Sequence, residues 1–163
     1  MDRTLNNSLY EQLLYASVLQ IAESKTGDAE ERVAQAKALG ETFGRRALIV
    51  YSRNLPHTAY SSTEKVLHLL VNELWSFIFG NQATDVTAPT HGSISFKDNN
   101  LGLLKRLEAP PELKEKKDEL LALLKSFLTG IIGGVMLYFR TECEVKIIYQ
   151  NESLFIHITC EQL

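Results

Sequence analysis

Cysteine is scarce in this chain and unevenly placed: its two thiols, Cys143 and Cys160, lie near the C-terminus, and none occurs between Met1 and Glu142. A disulfide-stapled scaffold is excluded, and so is a zinc site built on paired Cys-x-x-Cys ligands. With no basic-then-apolar leader ahead of the first polar residues, the chain reads as reduced, not secreted and cytosolic. An excess of either charge is also missing. The 17 Lys and Arg against 20 Asp and Glu give a net charge of -3, which argues against a nucleic-acid footprint and offers nothing to an anionic membrane surface.

Long apolar runs are lacking as well. The strongest, from Ser126 to Phe139, is shorter than the ~20 residues that cross a bilayer, so it reads as a buried core helix. The chemistry-bearing motifs are equally thin. His57, His68, His91 and His157 stand apart from one another and from the cysteines, so no metal site is expected. His68, in a mostly apolar helix, could be an axial ligand if the interior held a haem; otherwise it is a partly exposed or hydrogen-bonded side chain. Gly130, Gly133 and Gly134 lack the following lysine and the preceding strand of a phosphate loop, and no serine sits in a nucleophile elbow. The carboxylates of residues 28–31 and 108–119 fall in charge-rich stretches that read as solvated helix faces. No catalytic residue, cofactor or metal ligand is expected, and the chain is not read as an enzyme.

What is present is a core. At 45% hydrophobic and 23% charged residues, residues 1–163 read as one domain with enough chain for a single hydrophobic core. A first helix is expected from Ser8, capped with Glu11, to about Thr26, with Tyr10, Leu13, Leu14, Ser17, Val18 and Ile21 as its apolar stripe. A second starts at Asp28 with Glu31 and runs toward Tyr51. Its Val33, Ala36, Gly40, Phe43, Ala47 and Val50 step by threes and fours, as a helix–helix seam does, and Gly40 and Gly44 allow close approach. Leu55 and Pro56 break the pattern. A third helix is announced by Ser61 with Glu64, carries Val66, Leu67, Leu70, Val71, Leu74, Trp75, Ile78 and Phe79, and stops at Gly80.

Ser93 to Lys97 alternate as a half-buried strand, followed by a turn at Asp98, Asn99 and Asn100. Residues 101–107 fit either a short strand or one helical turn. Pro110 and Pro111 lead through charged residues into a fourth helix, whose glycines at helical spacing predict a close approach by a neighbouring element of the same chain. After Phe139 the period changes to two. Cys143, Val145, Ile147 and Tyr149 alternate with polar or opposite-facing residues, as does the stretch from Leu154 to Cys160, which predicts a terminal hairpin. If Asn151 and Glu152 form its loop, Cys143 and Cys160 face each other, close enough in principle for a disulfide; in a cytosolic chain they read as two buried reduced thiols. The expected class is α/β of the α+β type, with four to five helices on one side of a small antiparallel sheet.

Three motifs in order resemble the small α/β subunits of the transport protein particle, TRAPP, a cytosolic complex that tethers vesicles and activates a Rab-family GTPase. The second helix reads Ala38-Leu39-Gly40-Glu41-Thr42-Phe43-Gly44-Arg45-Arg46-Ala47-Leu48. The third reads Glu73-Leu74-Trp75-Ser76-Phe77-Ile78-Phe79-Gly80, followed by the strand from Ser93 and its Asp98-Asn99 turn. The last is Phe127-Leu128-Thr129-Gly130-Ile131-Ile132-Gly133-Gly134-Val135 ahead of two strands.

The resemblance implies a non-catalytic scaffold subunit in traffic from the endoplasmic reticulum to the Golgi apparatus. It would be cytoplasmic, peripheral to those membranes through its complex, and would contribute to Rab nucleotide exchange only within the assembly. It also implies a heterodimer with another small TRAPP subunit through the first two helices, which places Tyr10, Leu14, Val18, Ile21, Phe43, Ala47 and Val50 at or near a partner surface. One branch of the family carries an acylated cysteine just before the third helix. This sequence has none there and looks more like the non-acylated paralogues numbered five and six in animals. The alternative is a small-molecule or haem-binding sensor, since such sensors share the fold.

Overall fold

The computed structural model describes residues 3–24, 27–53, 55, 61–99 and 116–161, with side chains from residue 12 onward. The expectations for residues 101–107, for Asn100 and for the Pro110-Pro111 pair lie outside the described residues, as do those for Pro56 and His57. Within them the order is α1 (Arg3–Glu23), α2 (Ala29–Ser52), α3 (Thr63–Leu69), a π turn (Leu70–Leu74), α4 (Trp75–Phe79), β1 (Ser93–Asp98), α5 (Lys117–Tyr138), β2 (Cys143–Gln150) and β3 (Ser153–Cys160).

Local chemistry accounts for most boundaries. Asp28 caps α2 by accepting a hydrogen bond from the Glu31 amide at 2.9 Å, which satisfies one of the free N–H groups of the first turn. The cap of α3 is Ser62, not Ser61: its hydroxyl accepts from the Lys65 amide at 3.3 Å. Helix α1 begins at Arg3 and ends at Glu23. Ser8 and Glu11 are therefore internal to it, because the residues ahead of Ser8 carry no proline or glycine to stop the helix from extending backward. The expected third helix is interrupted at Leu70–Leu74, where the Trp75 amide reaches back to the Leu70 carbonyl in the wider spacing of a π turn. Gly80, at φ 72°, closes α4 with its amide on the Ser76 carbonyl at 2.9 Å.

The sheet has the strand order β1-β3-β2 and is antiparallel throughout. Asn151 and Glu152, at φ 51° and 58°, form the two-residue loop between β2 and β3, both in the left-handed region that a type I′ turn requires. One face of the sheet carries Ile94, Phe96, Asp98, Leu154, Ile156, Ile158 and Cys160, all buried. The helices cover that face: Trp75 of α4 packs edge-on against Phe96 of β1, with ring centroids 4.9 Å apart.

Helices α2 and α5 bring their backbones into direct contact. A β-carbon on Gly40 would collide with the Phe127 carbonyl, one on Gly44 with that of Ile131, one on Gly130 with that of Lys37 and one on Gly134 with that of Glu41. Partner numbers rise together along both helices, so the two run parallel, and their backbones touch through four glycines. The Ser126 hydroxyl adds a 2.8 Å hydrogen bond to the Val33 carbonyl, and Arg32 meets Glu119 at 2.8 Å near the N-terminal ends. Gly133 differs, since apart from its own turn of helix no atom lies within 4 Å of the position its β-carbon would take.

Helix α5 is 22 residues long, so by length and composition alone it could cross a membrane, longer than the apolar run suggested, yet it is the buried core helix expected. Its apolar residues have partners within the fold: Leu120, Leu123, Leu124, Phe127, Leu128, Ile131, Ile132, Val135 and Met136 are all buried. Fully burying each such side chain contributes about 1.5 to 3 kcal/mol, so α5 is the central core element.

Candidate functional site

The residues expected at a partner surface separate into two groups. Leu14, Val18 and Ala47 are buried in the core of their own chain, at 6%, 4% and 3% exposure, while Val50 is 53% exposed. Ile21 and Phe43 are half-buried, Phe43 with its ring 6.2 Å from that of Phe127. Tyr10 belongs to α1, but its side chain lies outside the described residues. The inward stripe of α2 is Ala36, Gly40, Gly44, Ala47 and Leu48, packed on α5.

Beside that stripe runs a second one. Leu39, Phe43 and Val50 follow steps of four and seven, so they share one flank of α2. Leu39 and Val50 are exposed, and Leu13 of α1 is 58% exposed. Leu39 and Leu13 were not expected at a surface by the sequence reading. The signal for Leu39 was available: once Gly40 and Gly44 face inward, the residue one step before Gly40 turns about 100° away from them.

Beyond Val50, Tyr51 stacks against Phe77 of α4 at 5.3 Å and donates a hydrogen bond of 2.5 Å to Glu73. Phe77 is itself 45% exposed. Exposed Arg46, three residues after Phe43 and four before Val50, falls on the same flank, and an apolar strip carrying such a charge is suited to pack against another protein helix.

The opposite face of the sheet carries the densest polar cluster. His157 Nδ1 is 2.6 Å from the Ser95 hydroxyl, and Nε2 is 3.1 Å from that of Thr159 and 3.3 Å from that of Ser93. The hairpin register assembles these residues, which sequence spacing alone could not. A serine beside an imidazole has the first two parts of a nucleophilic triad, yet both ring nitrogens here meet hydroxyls, and among the described residues no carboxylate orients the ring. The cluster is a hydrogen-bonded sheet surface next to exposed Phe155 and Ile148, with Lys97 Nζ 5.2 Å from the Phe155 ring centroid.

His68, the haem-ligand candidate, is exposed in the last turn of α3. Among them no group of three or more His, Cys, Asp or Glu side chains gathers as a metal site would. Cys143 and Cys160 are free thiols and direct partners across β2 and β3. Burial pushes the Cys143 thiol up to about 12, with the neighbouring Cys160 adding to the rise and Lys37 opposing it; burial alone pushes Cys160 up to about 11.

Comparison with known proteins agrees with this geometry. Among solved structures, the crystal structure of a trafficking protein particle complex subunit 3 from Naegleria fowleri, covalently bound to palmitic acid, superposes with a TM-score of 0.69. It is 15% identical, and the match covers 98% of this chain and 97% of that one. At that identity the likeness establishes a shared fold. No curated protein matches the sequence. The family model of the transport protein particle (TRAPP) component matches residues 11–159, from within α1 to the end of the terminal hairpin, and the chain belongs to that family.

Proposed function

We propose that the chain is a non-catalytic scaffold subunit of a TRAPP-like vesicle-tethering complex. It works in traffic between endoplasmic reticulum and Golgi, and pairs with another small TRAPP subunit through the exposed flank of α1 and α2. The observation that carries this reading is the flank of Leu39, Phe43 and Val50 beside the glycine contact, on which Leu39 and Val50 stay exposed while Phe43 is half-buried. Of the other residues expected there, Leu14, Val18 and Ala47 are buried in the chain's own core and Ile21 is half-buried. Nucleotide exchange on a Rab GTPase belongs to the assembly, and the isolated chain has none. Its place at the membrane comes through the complex.

The Naegleria fowleri protein carries covalent palmitic acid. This chain has no cysteine before Cys143, and its two thiols lie on the terminal hairpin. It therefore takes the part of a non-acylated subunit, of the kind numbered five and six in animals. Co-expression with each small TRAPP subunit, followed by size-exclusion chromatography with mass detection, tests the proposal. A stoichiometric heterodimer with one of them is the expected result, and a monodisperse monomer in every mixture would overturn it.

A further inference from the structure

The two thiols have a geometry that the scaffold role does not use. Gln150 and Ser153 close the two-residue loop as a hydrogen-bonded pair, and hydrogen-bonded and non-hydrogen-bonded pairs alternate along an antiparallel ladder. Counting back from the loop makes Cys143 and Cys160 a non-hydrogen-bonded pair. The next pair confirms the phase, because the Glu161 amide donates to the Glu142 carbonyl at 3.3 Å. In such a pair the Cα atoms are about 4.5 Å apart with the side chains close together, inside the range of about 4.4 to 6.8 Å that a disulfide spans.

Access is built in as well. Cys143 lines a cavity of about 210 Å³ with Lys37 and Glu41 of α2, Thr129 and Gly133 of α5, and Glu142. Gly133 is the one glycine of α5 that no neighbour requires, and its missing side chain leaves this cavity open beside the thiol. Cys160 lies deeper, at 4% exposure. The arrangement is an outer sulfur that a small solute reaches and an inner sulfur directly across from it.

We propose that Cys143 and Cys160 form a reversible oxidation site, at which a small peroxide converts the pair into a cross-strand disulfide that clips the start of edge strand β2 to the end of β3. The Cys143 thiolate attacks one peroxide oxygen, the O–O bond breaks, and the departing oxygen leaves as water after taking a proton. Cys143 is then a sulfenic acid. The Cys160 thiolate attacks that sulfur, the S–S bond forms, and the hydroxyl leaves as a second water. Two thiols and one peroxide give one disulfide and two waters, and a dithiol or glutathione reverses the change. Both thiols are held protonated near neutral pH, so the site is slow and answers sustained oxidation.

The test uses the full chain with hydrogen peroxide between pH 7 and 9. Intact mass is expected to fall by two hydrogens, peptide mapping to show a Cys143–Cys160 link, and dithiothreitol to restore the starting mass. The rate should rise about tenfold per pH unit across the whole range, where an ordinary exposed thiol would gain only about fivefold between pH 8 and 9. Amide exchange in the first residues of β2 should slow by roughly tenfold or more once the link forms. In C160S, Cys143 should be trapped as a sulfenic acid by dimedone; if that variant fails to fold, the exchange measurement on the unaltered chain decides. Oxidation of Cys143 to the sulfinic acid with Cys160 untouched, links only between molecules, or two unreacted thiols in the folded protein would each overturn the proposal.

Discussion

Gly40 of α2 lies so close beneath the Phe127 carbonyl of α5 that no β-carbon fits between them. The obstacle is backbone, which cannot swing aside as the end of a side chain can, so relief requires the helices to separate. Gly40→Ala gains up to about 1 kcal/mol of helix propensity but should lose more through overpacking, which typically costs about 1 to 3 kcal/mol and sometimes more. Gly44, Gly130 and Gly134 should behave alike. Gly133→Ala meets open space and should stabilise the chain by about 0.5 to 1 kcal/mol. Denaturant unfolding of the five alanine variants checks this. A destabilised Gly133→Ala beside a neutral Gly40→Ala would invert the assignment of inward and outward glycines.

A second prediction concerns the buried pair that ties α4 to β1. The Trp75 indole donates to Asp98 at 2.8 Å, and both residues are 0% exposed. Removing one partner of a buried hydrogen bond costs about 1 to 3 kcal/mol, and Trp75→Phe also leaves a small void. The variant should lose at least about 2 kcal/mol, read as a shift in the urea midpoint at constant slope. Because Trp75 is the only tryptophan, fluorescence of the unaltered chain should be blue-shifted and resist quenching by iodide until the fold opens.

Particular residues show what sequence could and could not specify. Asp28 with Glu31, the left-handed Gly80, the Asn151-Glu152 loop and the Cys143–Cys160 register were legible, because each depends on a few neighbours whose chemistry acts locally. Gly130 and Gly134 were legible as a contact. That Gly40 and Gly44 are its other half was not, since parallel packing of two helices so far apart in sequence leaves no mark in local spacing. The same gap explains the partner surface. Ala36, Gly40 and Ala47 have the periodicity of an intermolecular seam, but α5 of the same chain fills it. The strip left over, Leu39 with Phe43 and Val50, becomes visible only after that face has been assigned. The hydroxyls around His157 come from two strands and likewise required the register.

The hairpin thiols make stability depend on alkaline pH. Their folded values, about 12 for Cys143 and about 11 for Cys160, lie above the ordinary 9.0, so above pH 9 the unfolded chain binds fewer protons than the folded one. Stability therefore falls as pH rises in that window. The contribution is complete below about pH 9 and is lost progressively as pH climbs through 11 toward 12. The double variant C143S/C160S should flatten the decline measured by thermal unfolding from pH 8 to pH 11. An equal slope in both proteins would assign the alkaline loss to other groups.

The last prediction distinguishes a partner surface from a core face on the same helix. Leu39 and Val50 are exposed, so Leu39→Asp and Val50→Asp should change the stability of the isolated chain by no more than about 0.5 kcal/mol. If the α2 flank binds another subunit, each should weaken the heterodimer about tenfold or more, because an aspartate there buries an unpaired charge at the centre of the contact. Ala47→Asp places the same charge at a position only 3% exposed, against α5, and should prevent folding of the chain alone. Circular dichroism of each isolated variant and affinity for the co-expressed partner separate the two effects. If Leu39→Asp and Val50→Asp fold normally and bind normally, the partner does not use this flank.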